Sequence, residues 1–340
     1  MGYIFRAFHA LPPLTTSAGL PVQAVLGFVN MLRKLLHEAR PRALAAAFDL
    51  AGPTFRDVRY AAYKAQRAPM PETLAPQLPY IRRALEAFRV PCLQAQGFEA
   101  DDVLGTLARQ AVAAGEEVVI VSSDKDLLQL VGPGVSVYNP SGSLLLDAAG
   151  VEAKLGVRPA QVADLLALRG DAVDNIPGAP GIGEKGALQL ITRFGSVEQA
   201  LDRAAEVERK TYRESLQNHR EQILLSKELA TIHTGAPIAW EPGAWQVRPP
   251  DAEACRALFT ELEFHHLLAA LPGAEAGAAP ALASPTPAAD AAALERWFAA
   301  TPDAPVALAF ELDGVLERVE TTGDLFAPLV GVPPARKRRR

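Results

Sequence analysis

Thiols are scarce in this sequence. Cys92 and Cys255 are the only two in 340 residues, and they lie far apart without metal-ligand spacing. That excludes a disulfide framework and a thiolate zinc site, and it suits two ordinary thiols in a reducing compartment. No uninterrupted apolar run reaches the ~20 residues of a membrane span, and no basic-then-apolar leader opens the chain. A cytoplasmic protein with no membrane partner is expected. Global positive charge is lacking too. The formal net charge is −5, so composition by itself does not point to nucleic acid. No internal repeat is visible.

What is present is a hydrophobic fraction of 49%, ample for a packed core, and a charge balance that reverses along the chain. From Arg33 to Arg89 eleven Lys and Arg stand against five acids. From Glu99 to Asp126 seven acids stand against Arg109 and Lys125. A basic segment followed by an acidic one suits a polyanion whose reacting phosphate is met by metal ions.

Up to about residue 170 the pattern alternates. Residues 22–39 have helical spacing, and 43–48 (ALAAAF) are a short apolar run suited to a buried strand. Residues 72–88 read as a helix, 100–115 as another stopped by Gly115, and 117–123 (EVVIVSS) as a buried strand. This alternation predicts an α/β domain with a mostly parallel sheet over 1–155. Residues 156–272 read as a helical subdomain with glycine-rich turns near 178–186. The Ala/Pro-rich stretch 273–290 cannot build a core and reads as a linker. Within 291–340, the segment 304–314 looks like one strand opening a further domain.

The acids fall at element ends. Asp49 follows the strand 43–48, Asp124 and Asp126 follow the strand 117–123, and Glu99, Asp101 and Asp102 start a helix. Asp171 and Asp174 follow the helical 159–170. In open parallel sheets, ligands bind beyond the carboxyl ends of the strands. All eight acids are therefore expected on one rim, where hard divalent cations select oxygen ligands. As i,i+3 neighbours, Glu99 and Asp102 should share a helix face, with Asp101 about 100° away. On that reading Glu99, Asp102, Asp124 and Asp126 ligate directly, Asp171 and Asp174 serve a second ion, and Asp49 and Asp101 orient water.

Two further features suit DNA. The run NIPGAPGIGEKGA (175–187) lacks the Gly-Lys-Ser/Thr of a nucleotide loop, since Glu184 separates Gly183 from Lys185. It reads as a tight hairpin between helices whose backbone N–H groups grip a phosphate. In FRDVRYAAYKAQR (55–67), Arg56, Arg59, Tyr63 and Arg67 recur at helical spacing with Lys64 beside them. Cations neutralise phosphates and a tyrosine ring stacks on an unpaired base. A phosphatase of the haloacid-dehalogenase type also uses DxD and GDxxxD. Here, however, a helical segment precedes Gly170-Asp171, and Leu127 follows Asp126.

The motifs FRAFHALPPL, AFDLAGPTFRD, YKAQRAPMP, GFEADDVLGTLA, SSDKDLLQLV, LRGDAVDNIPGAPGIGEK and LATI occur in that order. Over about residues 1–270 they resemble the flap-endonuclease family, in the form of the 5′-nuclease domain of bacterial DNA polymerase I. The resemblance implies a PIN-like α/β fold with a helical arch, then a DNA-binding subdomain of helix-hairpin-helix type. It implies a metal-dependent 5′→3′ exonuclease or flap endonuclease of DNA replication and repair, acting as a monomer on 5′ flaps, nicks and RNA primers. Two or more Mg²⁺ (or Mn²⁺) ions are implied, with K⁺ at the hairpin. Asp49, Glu99, Asp101, Asp102, Asp124, Asp126, Asp171 and Asp174 resemble the family's metal-site acids. Lys64 and Arg67 resemble the residues that hold the scissile phosphate, and Tyr63 an arch aromatic. Arg6, Arg56, Gly178, Gly181, Gly183 and Lys185 resemble DNA contacts. The segment at 304–312 resembles the opening of a proofreading-like domain. One departure stands out. Family members begin with an apolar strand ending in aspartate before the equivalent of GYIFRAFHA, whereas here Met1 directly precedes that motif. A chain lacking that strand is expected to be weakly stable and weakly active, a DNA-binding fragment with impaired catalysis.

Overall fold

A computed structural model describes residues 2–271 except 141, 143 and 242. The linker 273–290 and the segment 291–340 lie outside the described residues. In chain order the elements begin with α1 (Gly2–Ala10), α2 (Gln23–Ala39), β1 (Ala46–Ala47), α3 (Phe55–Arg59) and α4 (Leu78–Ala87). Next come β2 (Cys92–Leu93), α5 (Ala100–Ala113), β3 (Val118–Val121), β4 (Val135–Asn139) and β5 (Leu144–Leu146). The helical half holds α6 (Ala148–Leu155), α7 (Val162–Arg169), α8 (Glu184–Phe194), α9 (Val197–Asp202), α10 (Lys210–Asn218) and α11 (Arg220–Ala230). Helices α12 (Ala252–Glu261) and α13 (His265–Ala269) complete it.

Among the described residues the strands form two sheets. β1 pairs with β2 in parallel, Ala46 opposite Cys92. β3 pairs with β4 in parallel, Val118 opposite Val135, and β5 joins β4 antiparallel. Helix α5 packs against both β1 and β3, so it joins the two sheets. Its own ends are clear in the sequence: Glu99 is the extended residue before the first turn, and Gly115 follows the last turn at φ +84°.

One hydrophobic cluster joins β3–β5 to α6–α11 through Ile120, Val137, Leu168, Ile191 and Ile223. A second joins α1, α2 and α4 to α12 and α13 through Val25, Ile81, Leu85 and Phe259. The chain after α11 runs back along the first half, where the Leu44 N–H donates to the Trp245 carbonyl at 2.9 Å. The last helices of the expected helical subdomain thus pack on the α/β half.

Two helices differ from their sequence patterns. Helix 72–88 begins as a 3₁₀ turn at Ala75–Gln77 and turns α-helical with Pro79 in the first turn, where its missing N–H costs nothing. The 55–67 stripe is helical only over Phe55–Arg59. Lys64 takes a left-handed φ of +54°, and its N–H donates to the Asp174 carbonyl at 3.0 Å. A tertiary bond replaces the next helical turn.

Candidate active site

Seven of the eight expected acids form one network. Asp49 leaves β1 and accepts the first free N–H of α5, from Ala100, at 2.9 Å, a position where the helix end favours negative charge. Asp101, one residue on, feels Asp124, Glu99 and Asp49. Asp124 leaves β3, accepts the Asp126 N–H at 3.0 Å, and faces both Asp101 and Asp126. Asp126 feels Asp171 and Asp174 beyond it. Burial first, then these neighbouring carboxylates, push both Asp101 and Asp126 up to about 7. Such crowding is expensive and is a feature of sites that bind cations.

Side-chain cations span the acids. Lys64 Nζ lies 2.6 Å from Glu99 and 3.6 Å from Asp174. Arg67 reaches Asp174 at 2.5 Å, and Lys125 reaches the buried Asp171 at 2.7 Å. The Tyr63 hydroxyl bridges Glu99 and Asp174 at 3.2 Å each. Burial, then those two carboxylates, raises the Tyr63 phenol far above its ordinary value, so it stays a donor. Among the described residues no three acids, histidines or cysteines already converge as a ready-made ion cage. The donor set nevertheless fits a hard divalent ion. It is all carboxylate, Mg²⁺ keeps several waters and needs few protein oxygens, and Asp126 Oδ1 is buried without a hydrogen-bond partner.

Residues 1–156 match the sequence model of the 5′-3′ exonuclease N-terminal resolvase-like domain. Residues 157–253 match that of the 5′-3′ exonuclease C-terminal SAM fold. The chain belongs to the 5′-3′ exonuclease family. DNA polymerase I of Rhizobium leguminosarum is 45% identical over 271 residues, 77% of this chain and 27% of that protein. DNA polymerase I of Pseudomonas aeruginosa is 45% identical over 273 residues, 78% and 30% respectively. The chain therefore spans under a third of the length of these relatives. Among solved structures, T5 5′-exonuclease with bound zinc superposes with a TM-score of 0.58 at 20% identity, covering 78% of this chain and 93% of that one. The catalytic core of Rad2 in complex with DNA gives 0.52 at 14%, covering 78% and 88%. At these identities the likeness is one of fold.

In this member of the family the structure places three residues otherwise than the sequence reading expects. Asp102 is not on the rim. It is fully buried and its oxygens accept from Arg56, from the Glu99 N–H at 3.0 Å and from the His233 N–H at 2.8 Å. Asp101 takes the place in the cluster expected for Asp102. Glu99 and Asp102 do lie together at the start of α5, in a reciprocal capping box and both beside Arg56 Nη1, Asp102 at 2.7 Å and Glu99 at 3.6 Å. What removes Asp102 from the rim is the buried Arg56, which a helical wheel does not show. Arg56 is 2% exposed and bonded to Asp102, so it does not present its charge to DNA. Gly178 is buried and its backbone is spent inside the protein. Its N–H donates to Ser226 Oγ at 3.0 Å and its carbonyl accepts from Gln222 at 2.8 Å. A Cβ there would lie 2.5 Å from the Gly170 nitrogen, so this glycine serves a close approach of two segments of the backbone.

Gly181, Gly183 and Lys185 are exposed, and Gly183 precedes the first turn of α8. Arg6 is half-buried on α1, which packs against α2. Sequence reasoning missed Lys125 as the partner of Asp171, although it sits between Asp124 and Asp126. It also missed Asn175, whose side chain donates to the Ala62 carbonyl at 2.6 Å and pins the 60–67 turns to the 171–176 turn. A groove of about 710 Å³ lined by Phe55, Arg109, Lys227 and His233 contains none of the clustered acids.

Proposed function

We propose that the chain is a metal-dependent 5′→3′ exonuclease and flap endonuclease of DNA replication and repair. On this reading it acts as a cytoplasmic monomer on 5′ flaps, nicks and RNA primers. The observation that carries the proposal is the chain of neighbouring carboxylates, with Asp49, Glu99 and Asp124 about Asp101 and with Asp124, Asp171 and Asp174 about Asp126, whose Oδ1 is buried without a partner. Asp101, Asp124 and Asp126 would hold one Mg²⁺ or Mn²⁺, with Asp171 and Asp174 serving a second. Bound there, the ions would supply an activated water and a Lewis acid for phosphodiester hydrolysis. Asp49 orients water at the α5 N-terminus. Glu99 and Tyr63 hold the Lys64 ammonium at the rim, and Lys64 and Arg67 give charged hydrogen bonds to the reacting phosphate. Gly181, Gly183 and Lys185 grip the phosphate backbone without reading sequence, with K⁺ as the ion suited to that turn. Asp124→Asn is expected to abolish cleavage and to leave DNA affinity within a few fold, since it removes a ligand oxygen and not a phosphate contact. Full cleavage by that variant refutes the assignment.

A second reading, a DNA-binding segment with impaired catalysis, is favoured by the division of the strands. Asp49 follows a strand of one sheet and Asp124 a strand of another, and α5 packs against both. Cleavage of a labelled 5′ flap with metal, set against binding in EDTA, separates the two.

A further inference from the structure

Arg56 and Asp102 are the most buried ion pair described, at 2% and 0% exposure. Their contact is bidentate, with Nη1 to Oδ2 at 2.7 Å and Nη2 to Oδ1 at 2.8 Å. The guanidinium also donates Nε to the Leu229 carbonyl and Nη2 to the Thr231 carbonyl, each at 2.9 Å. Asp102 in turn accepts the backbone N–H groups of Glu99 and His233. Phe55 stacks under Arg56 at 4.4 Å, and Phe98 and His233 close around Phe55. As a source of stability such a pair is poorly suited, because apolar replacements of similar volume are often neutral or better. A planar fork with fixed donors does something apolar side chains do not: it sets the spacing of backbones.

Three backbones meet here, and each leads to a functional group. Glu99, held through its N–H, carries the carboxylate that binds Lys64 and Tyr63. Helix α3 leads directly into the turns of Tyr63, Lys64 and Arg67. Leu229 and Thr231 end α11, the same helix whose Gln222 and Ser226 bind the Gly178 backbone beneath the hairpin. One continuous set of hydrogen bonds thus runs from the hairpin through α11 and Arg56–Asp102 to Glu99. We infer that Arg56–Asp102 is a positioning pair that couples duplex DNA held on the hairpin to the acids and Lys64. This rests on the proposed nuclease reading for its substrate, and it assigns to the two residues neither a DNA contact nor a metal bond.

The test uses the full chain, a 5′-flap DNA and the variants R56K and R56M/D102L. The double variant removes the pair without stranding a charge but leaves the backbone groups of Leu229, Thr231, Glu99 and His233 without these partners. It is therefore expected to melt below the parent and, assayed at a temperature where it is folded, to bind flap DNA in EDTA within about threefold. Its single-turnover cleavage with Mn²⁺ is expected to fall about 100-fold, the scale of a 1 Å misplacement at a reacting centre. R56K keeps the charge and loses the fork, and it is expected to lower cleavage at least about tenfold with unchanged DNA affinity. Parent-like cleavage in either folded variant overturns the proposal. A second readout does not depend on cleavage. In EDTA, flap DNA is expected to slow hydrogen exchange at the Glu99 and His233 amides of the parent, and to do so much less in R56K. Equal protection in both proteins, or none in the parent, overturns the coupling even if the nuclease reading stands. If the parent binds DNA but does not cleave it, the nuclease reading fails, and this exchange comparison still decides the coupling.

Discussion

Replacing Asp101 by asparagine should make the metal-free protein more stable at pH 8, although it deletes a carboxylate of the proposed metal site. The carboxyl is held at about 7 against an ordinary 3.8, first by burial and then by Asp124, Glu99 and Asp49. The folded-state value lies above the unfolded one, so the unfolded chain releases this proton first. Stability therefore falls as pH rises from about 4 to about 7, and the full loss is present above 7. Between pH 5 and pH 7 that slope amounts to at most about 3 kcal/mol, at 1.36 kcal/mol per pH unit. Solvent relaxation around a partly open site reduces it to roughly 1–2 kcal/mol. A fold of this size shifts by about 2–4 °C per kcal/mol, so thermal melts in EDTA across pH 5 to 8 resolve the effect. Asp101→Asn should gain several degrees over the parent as pH rises. Mg²⁺ at pH 8 should narrow the gap, because ions bind the ionised parent. A gap that does not change with pH, or a variant less stable than the parent at pH 8, would refute the electrostatic reasoning.

Three other outcomes are expected. Lys125→Met frees Asp171 from an ammonium bond at 2.7 Å, and a charged bond of this kind is worth at most about 1.5–3 kcal/mol; calorimetry should show Mn²⁺ binding tightened severalfold, and weaker binding would count against Lys125 as a competitor for the ion. Lys64→Ala should lower single-turnover cleavage and leave DNA affinity nearly unchanged, and the reverse result would make Lys64 a general DNA contact. Gly178→Ala forces a Cβ to 2.5 Å from the Gly170 nitrogen and should lower the melting temperature far more than Gly181→Ala. Gly181 faces open space, so alanine there meets only the left-handed penalty of about 1–2 kcal/mol; equal melting temperatures would contradict the packing role of Gly178.

Local chemistry made much of the site legible. Asp49, Asp124 and Asp126 announce themselves as acids directly after apolar strands, and the helix at 23–39 agrees with its 22–39 pattern within a residue. The misreadings share a cause, which is long-range bonding. The basic spacing of 55–67 is a good helical pattern, yet Asp174, 110 residues further on, claims the Lys64 N–H. Nothing near Arg56 in sequence reveals that Asp102, Leu229 and Thr231 will surround it. A helical wheel places Asp102 beside Glu99 but does not show that Arg56 and the His233 N–H, both distant in sequence, take up its oxygens. A sheet's continuity is likewise invisible in strand patterns alone, and among the described residues five strands divide two and three.

The central claim is that the carboxylates of α5 and the two sheets form a working hydrolytic site in this chain. Incubating the 340-residue protein with an end-labelled 5′-flap duplex, in Mg²⁺ or Mn²⁺ and in EDTA, tests it most directly. Metal-dependent release of a short labelled 5′ product, stopped by EDTA while DNA binding persists, is the expected result. Cooperative melting and intact DNA binding without cleavage at any metal concentration would contradict it.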